Sequence, residues 1–528
     1  QQVCRGSIAG WRRASGFLRS YHLPLGSNQV AYSVLIRKEL DSKMIRSGKA
    51  AGWLQLPSEA VLPWAMLNEV DFRQVVPGQA VGKGGALLAK HSLPGASKDG
   101  ELMRVPHDLI LSLERVLDHA KADKDFREVL EALGEFGRTP RGAILAFLLV
   151  QASVSCPDLA ERVGVHCPFT DYVKSLPLEN LPTFWSQDEL ALLMGTTLAP
   201  AVSSKLRSLH REYDHLCEST SQTRWYSLVG EHLDFDDWLQ VDAMYRSRAL
   251  DFPEIGHCMV PCIDLANHSA GESTVAVYEK DEHGNATLLV RDGKTVNEGD
   301  EVTITYGDEK GACEMLFSYG FLEAERKSAE TLFLSLSIPN EDPYKSAKLQ
   351  TADCAPGFKL IDAGDGEIDW KGEFIWLLCV GADDGLRFEL ARTVDGEGEE
   401  MQSFFGDEEL TGGTAQLYSL LGKSELWDVY RLRAVALLQQ RVFEQMQVLY
   451  STQEAAEGVE HGGDTDVRTP VFENIMRLRK LEFELMERAY EDFERQKLEL
   501  AESEVVQRYL AMMNEDPAKE EKEGEDFS

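Results

Sequence analysis

The sequence predicts an α+β protein, with a β-rich unit interrupted by a long helical insert and followed by a mainly α-helical C-terminal domain. Short apolar runs bounded by turn residues occur before about residue 107 and again between residues 274 and 306, which is typical of antiparallel strands. Apolar residues recur at helical spacing between about 108 and 240 and again after 427. We therefore expect one domain at 57–330 and a second at 331–512.

The first 56 residues form an N-terminal extension of distinct composition. Six basic residues and several serines precede the first acidic residue, Glu39; the basic residues are Arg5, Arg12, Arg13, Arg19, Arg37 and Lys38. This composition is typical of an organelle transit peptide, although the first methionine is Met44. Two interpretations stay open: a targeting segment for a mitochondrion or plastid, or a disordered or extraneous extension.

The β-rich unit begins with a predicted amphipathic helix at 62–70 and strands around 82–89 and 102–106. The insert then shows two apolar stripes at helical spacing: Leu109, Leu113, Val116 and Leu117, and Leu145, Leu148 and Leu149. Strands are expected again at 274–278 and 286–290, joined by the turn sequence 281–285, with a third at 301–306. A helix carrying Met315, Leu316 and Tyr319 follows.

Two strong helical patterns, 427–448 and 471–510, dominate the C-terminal domain. The second has an apolar stripe at steps of three and four: Leu478, Leu481, Leu485, Ala489 and Phe493. The last residues, 513–528, are mostly charged and are expected to form an acidic disordered tail.

The net charge of −35 disfavours binding to nucleic-acid phosphate and favours cationic partners such as basic protein segments. No apolar run approaches the roughly 20 residues of a membrane span. Nine cysteines at irregular spacing are typical of reduced intracellular thiols. A zinc site at Cys258 and Cys262 lacks a second close Cys pair, so no metal is expected.

Two segments carry the functional signal. The first is Asp264-Leu-Ala-Asn267-His268-Ser269, and the second runs from Tyr306 to Tyr319-Gly-Phe321. Their order and separation resemble the active-site half of SET-domain protein methyltransferases. The helical insert and helical C-terminal half resemble the branch of that family typified by the Rubisco large-subunit methyltransferases.

This resemblance implies a SET-domain β-fold with knot-like threading and S-adenosylmethionine as the cofactor. Tyr319 matches the catalytic tyrosine beside the transferred methyl group, and Tyr306 matches the tyrosine of the channel wall. Asn267 and His268 match the pair that binds the cofactor through side-chain and main-chain groups. The remaining expected cofactor contacts are Arg248, opposite the cofactor carboxylate, and a glycine-rich loop, Lys83, Gly84 and Gly85.

Methyl transfer to an amine requires a neutral lone pair in a site that excludes water. Desolvation and a neighbouring sulfonium both lower the pKa of a lysine, and tyrosines provide apolar walls with an orienting hydroxyl. The resemblance implies that the substrate contacts are Leu250, Phe252, Asp264 and Tyr306.

The acceptor could be lysine or histidine, because a relative in this branch methylates an actin histidine. Leu250, Ile263 and Tyr319 depart from the pattern of that histidine enzyme and favour lysine. We therefore expect a lysine methyltransferase that acts on a non-histone protein, a ribosomal protein or translation factor in particular.

The alternatives are a histidine methyltransferase and an inactive SET-fold scaffold that binds basic partners. We expect a monomer in the cytoplasm or nucleus, unless the N-terminus directs it to a mitochondrion or plastid.

Overall fold

A computed structural model describes residues 60–80, 83–93, 100–154, 156, 159–364, 366–392, 399–463 and 465–514. The predicted N-terminal extension at 1–56 and residues 515–528 of the predicted acidic tail lie outside these ranges. Within the described part of the chain, no helix is both long and apolar enough to cross a membrane.

The β-rich unit consists of short strands in small antiparallel sheets. Its elements are α1 (Val61–Leu67), β1 (Val75–Ala80), β2 (Gly84–Ala89), β3 (Glu101–Val105), β4 (Leu250–Phe252), β5 (Gly256–Cys258), β6 (Ala276–Lys280), β7 (Ala286–Val290) and α10 (Ala312–Tyr319). Strands β1 and β2 form one pair, β4 and β5 form another, and a 3-stranded sheet has the order β3-β7-β6. The sheets bury one face, which includes Leu87, Leu102 and Leu288.

The predicted helical insert separates β3 from β4. Its helices are α2 (Leu113–Ala122), α3 (Lys124–Ala132), α4 (Pro140–Ser153), α5 (Pro168–Ser175), α6 (Gln187–Leu192), α7 (Leu198–Thr220), α8 (Arg224–Val229) and α9 (Phe235–Arg248). Helix α9 begins at the side chain of Asp234, which accepts the N–H of Asp237 at 3.1 Å and so satisfies an amide of the first turn. The same helix ends at Arg248, at the edge of the β-rich unit.

The C-terminal unit has more strand than the sequence predicts. It contains two 3-stranded antiparallel sheets before its long helices. The elements are β8 (Thr331–Ser335), α11 (Lys345–Thr351), β9 (Gly357–Gly364), β10 (Glu367–Lys371), α12 (Phe374–Cys379), β11 (Leu386–Arg392), β12 (Glu399–Phe405), β13 (Glu408–Glu409), α13 (Gly413–Gly422), α14 (Trp427–Ser451), α15 (Gln453–Glu457), α16 (Thr469–Ala501) and α17 (Glu504–Asn514).

Two predicted elements differ in the structure. The helix predicted at 471–510 is two helices, α16 and α17, although its apolar stripe from Leu478 to Phe493 is buried as expected. The strand predicted at 301–306 makes only isolated bridges, Glu301 with Leu88 and Ile304 with His268. The physical reason is that this extended segment pairs with two different partners, and neither pairing is long enough to form a ladder.

Helix α10 contacts both the C-terminal unit and the β-rich unit. Its Met315 and Leu316 are fully buried in the same apolar cluster as Leu478 and Leu485 of α16, while its last residue, Tyr319, faces the β-rich unit. The C-terminal core therefore anchors the helix that carries the predicted catalytic tyrosine. The domain boundary at 330 stays a prediction.

Candidate active site

A cavity of about 330 Å³ opens where the end of α9, strands β4 to β6 and α10 meet. Five predicted site residues line it: Arg248, Leu250, Asp264, Tyr306 and Tyr319. Lining residues that the sequence did not predict include four with titratable side chains, Asp251, His257, Tyr278 and Lys310. The structure thus gathers residues far apart in the chain around one small space.

The two predicted tyrosines form the inner wall. Their ring centroids lie 4.5 Å apart. The Tyr306 hydroxyl donates to the carbonyl of Ala266 at 3.0 Å, and the Tyr319 hydroxyl lies 3.5 Å from the carbonyl of Tyr306. Burial raises the pKa of both phenols. Both hydroxyls therefore stay protonated at neutral pH and can act as hydrogen-bond donors.

The turn after α10 fixes the position of Tyr319. Gly320 has a φ of 78°, a left-handed conformation that favours glycine, and a Cβ at this position would lie 2.8 Å from the carbonyl oxygen of Asn180. Glycine is therefore required here both by the backbone conformation and by the close approach of the insert. These two constraints explain the glycine of the Tyr319-Gly320-Phe321 motif.

Arg248 and Asp264 are paired with each other beside the tyrosines. The Arg248 Nη1 atom donates to the Asp264 carbonyl at 3.1 Å, and the Arg248 Nε atom donates to Glu179 at 2.9 Å. Asp264 also accepts the Tyr172 hydroxyl at 2.7 Å. Burial raises the pKa of Asp264, although Arg248 opposes this effect. The guanidinium predicted to meet a cofactor carboxylate is thus already paired within the protein.

Both nitrogens of the His268 ring have hydrogen-bond partners within the protein, so the predicted cofactor contact of this residue stays a prediction for its main-chain groups. Its Nδ1 atom accepts the backbone N–H of Tyr306 at 3.0 Å, and its Nε2 atom lies 3.1 Å from Glu323. The ring therefore holds the tyrosine segment in place, with its proton on Nε2. Burial tends to raise the pKa of Glu323, but His268 and Arg326 outweigh burial and lower it. The imidazole has no nitrogen left for a ligand.

Asn267 joins the glycine-rich loop through a residue that the sequence did not reveal. Its Nδ2 atom donates to the Gly85 carbonyl at 3.1 Å and to Glu301 at 2.7 Å. Glu301 also pairs with Lys83 at 2.8 Å. Four predicted cofactor residues, Lys83, Gly84, Gly85 and Asn267, are therefore brought together, although none of them lines the cavity.

The glycines of this loop do not contact other described residues through their Cα hydrogens. Gly84 has a φ of +82°, and a Cβ added at Gly84 or Gly85 would meet no atom of the described part of the chain within 4 Å. The loop backbone is thus exposed beside the amide of Asn267 and the ammonium of Lys83. Such a surface suits a ligand with a carboxylate and an amine that approaches the main chain closely, so the residues present fit the expected cofactor.

Phe252, a predicted substrate contact, does not line the cavity. It is almost completely buried and stacks on Tyr278, with ring centroids 5.3 Å apart. Residues alternate in burial along β4: Leu250 and Phe252 are buried and Asp251 is exposed. Phe252 thus packs against the wall residue Tyr278, and its substrate contact stays a prediction.

The cysteines near the site are buried thiols. Burial raises the pKa of Cys258 to about 12, and Cys262 is buried as well. In the part of the chain that the structure describes, no group of three or more His, Cys, Asp or Glu side chains is arranged to hold a metal ion.

No protein-family model matches the chain, but individual proteins do. It is 31% identical over 278 residues to SET domain-containing protein 8 of Schizosaccharomyces pombe, an alignment that covers 51% of this chain and 60% of that protein. It is 27% identical over 304 residues to the chloroplastic Rubisco large-subunit N-methyltransferase of Pisum sativum, covering 55% and 56%. The chain thus matches less than two thirds of the length of these relatives.

A solved structure extends the comparison to the whole fold. The crystal structure of the SET domain of LSMT bound to lysine and AdoHcy superposes with a TM-score of 0.60 and 19% sequence identity, covering 88% of this chain and 96% of that chain. The chain has a SET-domain fold. Its predicted α+β class is confirmed by this likeness.

The candidate site includes residues without a local sequence signal. Tyr172 contacts Asp264 across 92 positions of sequence, and Glu179 lies in the loop after α5. Glu301 was visible only as the first residue of an apolar alternating run. Lys310 lies between the two tyrosines in sequence, and its proximity to the motif was the one available clue.

Proposed function

We propose that this SET-domain protein transfers a methyl group from S-adenosylmethionine to a lysine side-chain amine of a non-histone protein. The observation that carries the proposal is the shared cavity of Tyr306, Tyr319, Arg248 and Asp264. It is lined by neutral phenols and lies apart from the glycine-rich loop, so it suits an acceptor side chain while the loop suits the cofactor.

Lys83, Gly84, Gly85 and Asn267 would hold the cofactor, since they border the open space beside β2. When bound, S-adenosylmethionine supplies the methyl group and keeps the electrons of the broken S–CH3 bond on sulfur. The Glu301 carboxylate fixes Asn267 and Lys83 for this task. Because the loop is already ordered by these contacts, little rearrangement is needed on binding.

The acceptor amine would enter between the phenols. The hydroxyl of Tyr319 is only weakly engaged by the Tyr306 carbonyl at 3.5 Å, so it is available to orient an amine. The aromatic walls exclude water, which lowers the pKa of a lysine and favours its reactive neutral form. The amine proton leaves to solvent, and the lone pair points to the methyl group.

The acidic chain supports a substrate with a basic segment around the lysine, as in a ribosomal protein or translation factor, because opposite charges speed and strengthen encounter. Lysine is favoured over histidine by the retained Tyr319 and by Leu250 in the cavity wall. We propose a monomer in the cytoplasm or nucleus, with an organelle as the alternative.

The test is incubation of the full chain with radiolabelled S-adenosylmethionine and an extract of cells that lack this protein. The labelled protein is then isolated, and the modified residue is located by fragmentation mass spectrometry. Methyl-lysine supports the proposal, whereas methyl-histidine would support the alternative acceptor. If no label is transferred and calorimetry detects no cofactor binding, the scaffold interpretation replaces both.

A further inference from the structure

Lys310 projects into the cavity that contains the two tyrosines. It lies in the turn between Tyr306 and α10, and its ammonium lies 5.5 Å from the centroid of the Tyr319 ring. The ammonium also pairs with Glu314 at 3.2 Å. The side chain of Lys310 is 26% exposed and that of Glu314 is 53% exposed, so the cation faces inward and its carboxylate partner faces solvent.

The backbone around Lys310 is shaped to hold its stem. Gly307 has a φ of +130°, and a Cβ there would lie 2.9 Å from the Lys310 Cε atom. Arg326 donates to the Lys310 carbonyl at 3.1 Å. The aliphatic stem thus crosses the space that a side chain at position 307 would fill, which restricts where the ammonium can go.

Lys310 keeps its charge in this position. Burial disfavours the ammonium, but Tyr319 and Glu314 outweigh burial and raise the pKa of Lys310. A lysine that stays protonated has no lone pair, so it is not itself a methyl acceptor. It is a fixed positive charge beside the space where the acceptor amine is proposed to enter.

The other charged groups around the cavity are either paired or exposed to solvent. Arg248 is offset by Glu179 and Asp264. Asp251 on β4 and His257 on β5 also line the cavity but are exposed, so water and salt screen the Asp251 carboxylate. Lys310 is therefore a cation of the cavity lining whose own partner, Glu314, is the more exposed member of the pair.

We propose that Lys310 is a positioning residue that orients the Tyr319 hydroxyl and, by charge repulsion, favours the neutral form of the acceptor amine. The inference rests on the proposed function, because it assumes that an amine enters this cavity. Two like charges about 6 Å apart in a partly buried site disfavour each other by an amount that corresponds to about one pKa unit or more. The proton of the acceptor passes to solvent, and Lys310 keeps its own.

The decisive experiment measures the acceptor directly. Free L-lysine labelled with ¹³C at Cε is bound to the full chain with S-adenosylhomocysteine, and its amine is titrated by NMR. In Lys310→Met we expect the pKa of the bound amine to be higher than in the unaltered protein by about one unit, a tenfold loss of neutral amine at a given pH. Lys310→Arg, which keeps a cation, should restore most of the effect.

A second variant distinguishes an effect of charge from an effect of packing. Glu314→Gln removes the carboxylate that partly offsets Lys310, so it should lower the pKa of the bound amine, opposite to the change in Lys310→Met. A purely structural disturbance would not shift this pKa in opposite directions in the two variants. Lys294→Met is the matched control: it removes an equal charge outside the cavity, where Lys294 pairs with Glu272, and should leave the titration unchanged.

The pH profile of single-turnover methyl transfer to a pool of peptides with one central lysine gives an independent readout. Its acidic limb should move to higher pH in Lys310→Met and return in Lys310→Arg. If the bound amine has the same pKa in the unaltered protein and in Lys310→Met, the inference is overturned, but the proposed function is not. If lysine does not bind the unaltered protein at all, the acceptor assignment of the cavity fails, and the role of Lys310 fails with it.

Discussion

The cavity and the glycine-rich loop differ in how their central ion pairs are exposed. In the cavity, the side chains of the paired Arg248 and Asp264 are only 15% and 2% exposed. At the loop, the paired Lys83 and Glu301 are 47% and 22% exposed, and a Cβ at Gly84 or Gly85 would meet no described atom within 4 Å. A buried pair is held in one geometry, whereas an exposed pair and an open backbone can be reached from solvent, which suits the proposed division into an acceptor site and a cofactor site.

Among the changes in the cavity, Tyr319→Phe should slow methyl transfer most strongly. Removing a hydroxyl that orients the amine should slow methyl transfer by about 100-fold, while the dissociation constant for S-adenosylmethionine changes less than about threefold, because the loop is untouched. Mass spectrometry of single-turnover products and calorimetry measure the two quantities. Tyr418→Phe, a half-exposed tyrosine of the C-terminal unit, is the control, and unchanged turnover in Tyr319→Phe would contradict the assignment.

His268→Ala tests whether the imidazole is structural. The change leaves the Tyr306 N–H without its acceptor and removes one partner of Glu323. The free energy of unfolding should fall by about 2 kcal/mol, as measured by chemical denaturation. His283→Ala removes an exposed histidine and should change stability by less than about 0.5 kcal/mol. A fully stable His268→Ala that loses only cofactor affinity would show that the ring serves the ligand.

Glu301→Ala tests the role of the glycine-rich loop in cofactor binding. It removes the carboxylate that holds both Asn267 and Lys83, so we expect about tenfold weaker binding of S-adenosylmethionine. At saturating cofactor the rate of methyl transfer should stay within about threefold. The matched control is Glu298→Ala, an exposed acid in the same turn. The opposite result, slow transfer with unchanged affinity, would assign Glu301 to the chemistry.

Lys83→Met should have the smallest effect. Its ion pair with Glu301 is about half exposed on the lysine side, and such pairs contribute roughly 0 to 1 kcal/mol. Cofactor affinity should fall by about two- to threefold at low salt, and the difference should shrink as salt is added, because exposed charges are screened. A difference that does not depend on salt would indicate a buried contact with the ligand.

The sequence could predict the site residues that belong to short local motifs. Tyr306, Tyr319, Arg248 and Asp264 share one cavity as the motifs implied, and the cavity wall includes Leu250. Phe252 lies outside the cavity lining and stacks on Tyr278, and the His268 ring accepts the backbone N–H of Tyr306. Their partners come from distant parts of the chain, and no spacing rule reports which atoms of a motif face the ligand.

The same limit applies to secondary structure. The long helices were visible because their apolar stripes repeat over many turns. The segment 301–306 pairs with two partners in isolated bridges. Strands β8 and β10 alternate in burial, but each is only 5 residues long, which is too short for the pattern to distinguish a strand from its surroundings.

By itself the sequence determined the α+β class, the helical insert, the acidic charge and the residue types of the candidate active site. Each of these follows from local periodicity, composition or a short motif. Only the tertiary structure decided that Lys310 reaches Tyr319, that Glu301 joins Asn267 to Lys83, and that Tyr172 and Glu179 complete the Arg248–Asp264 pair. The physical reason is that hydrogen bonds and ion pairs depend on distance in space, which is set when the separate apolar clusters pack together.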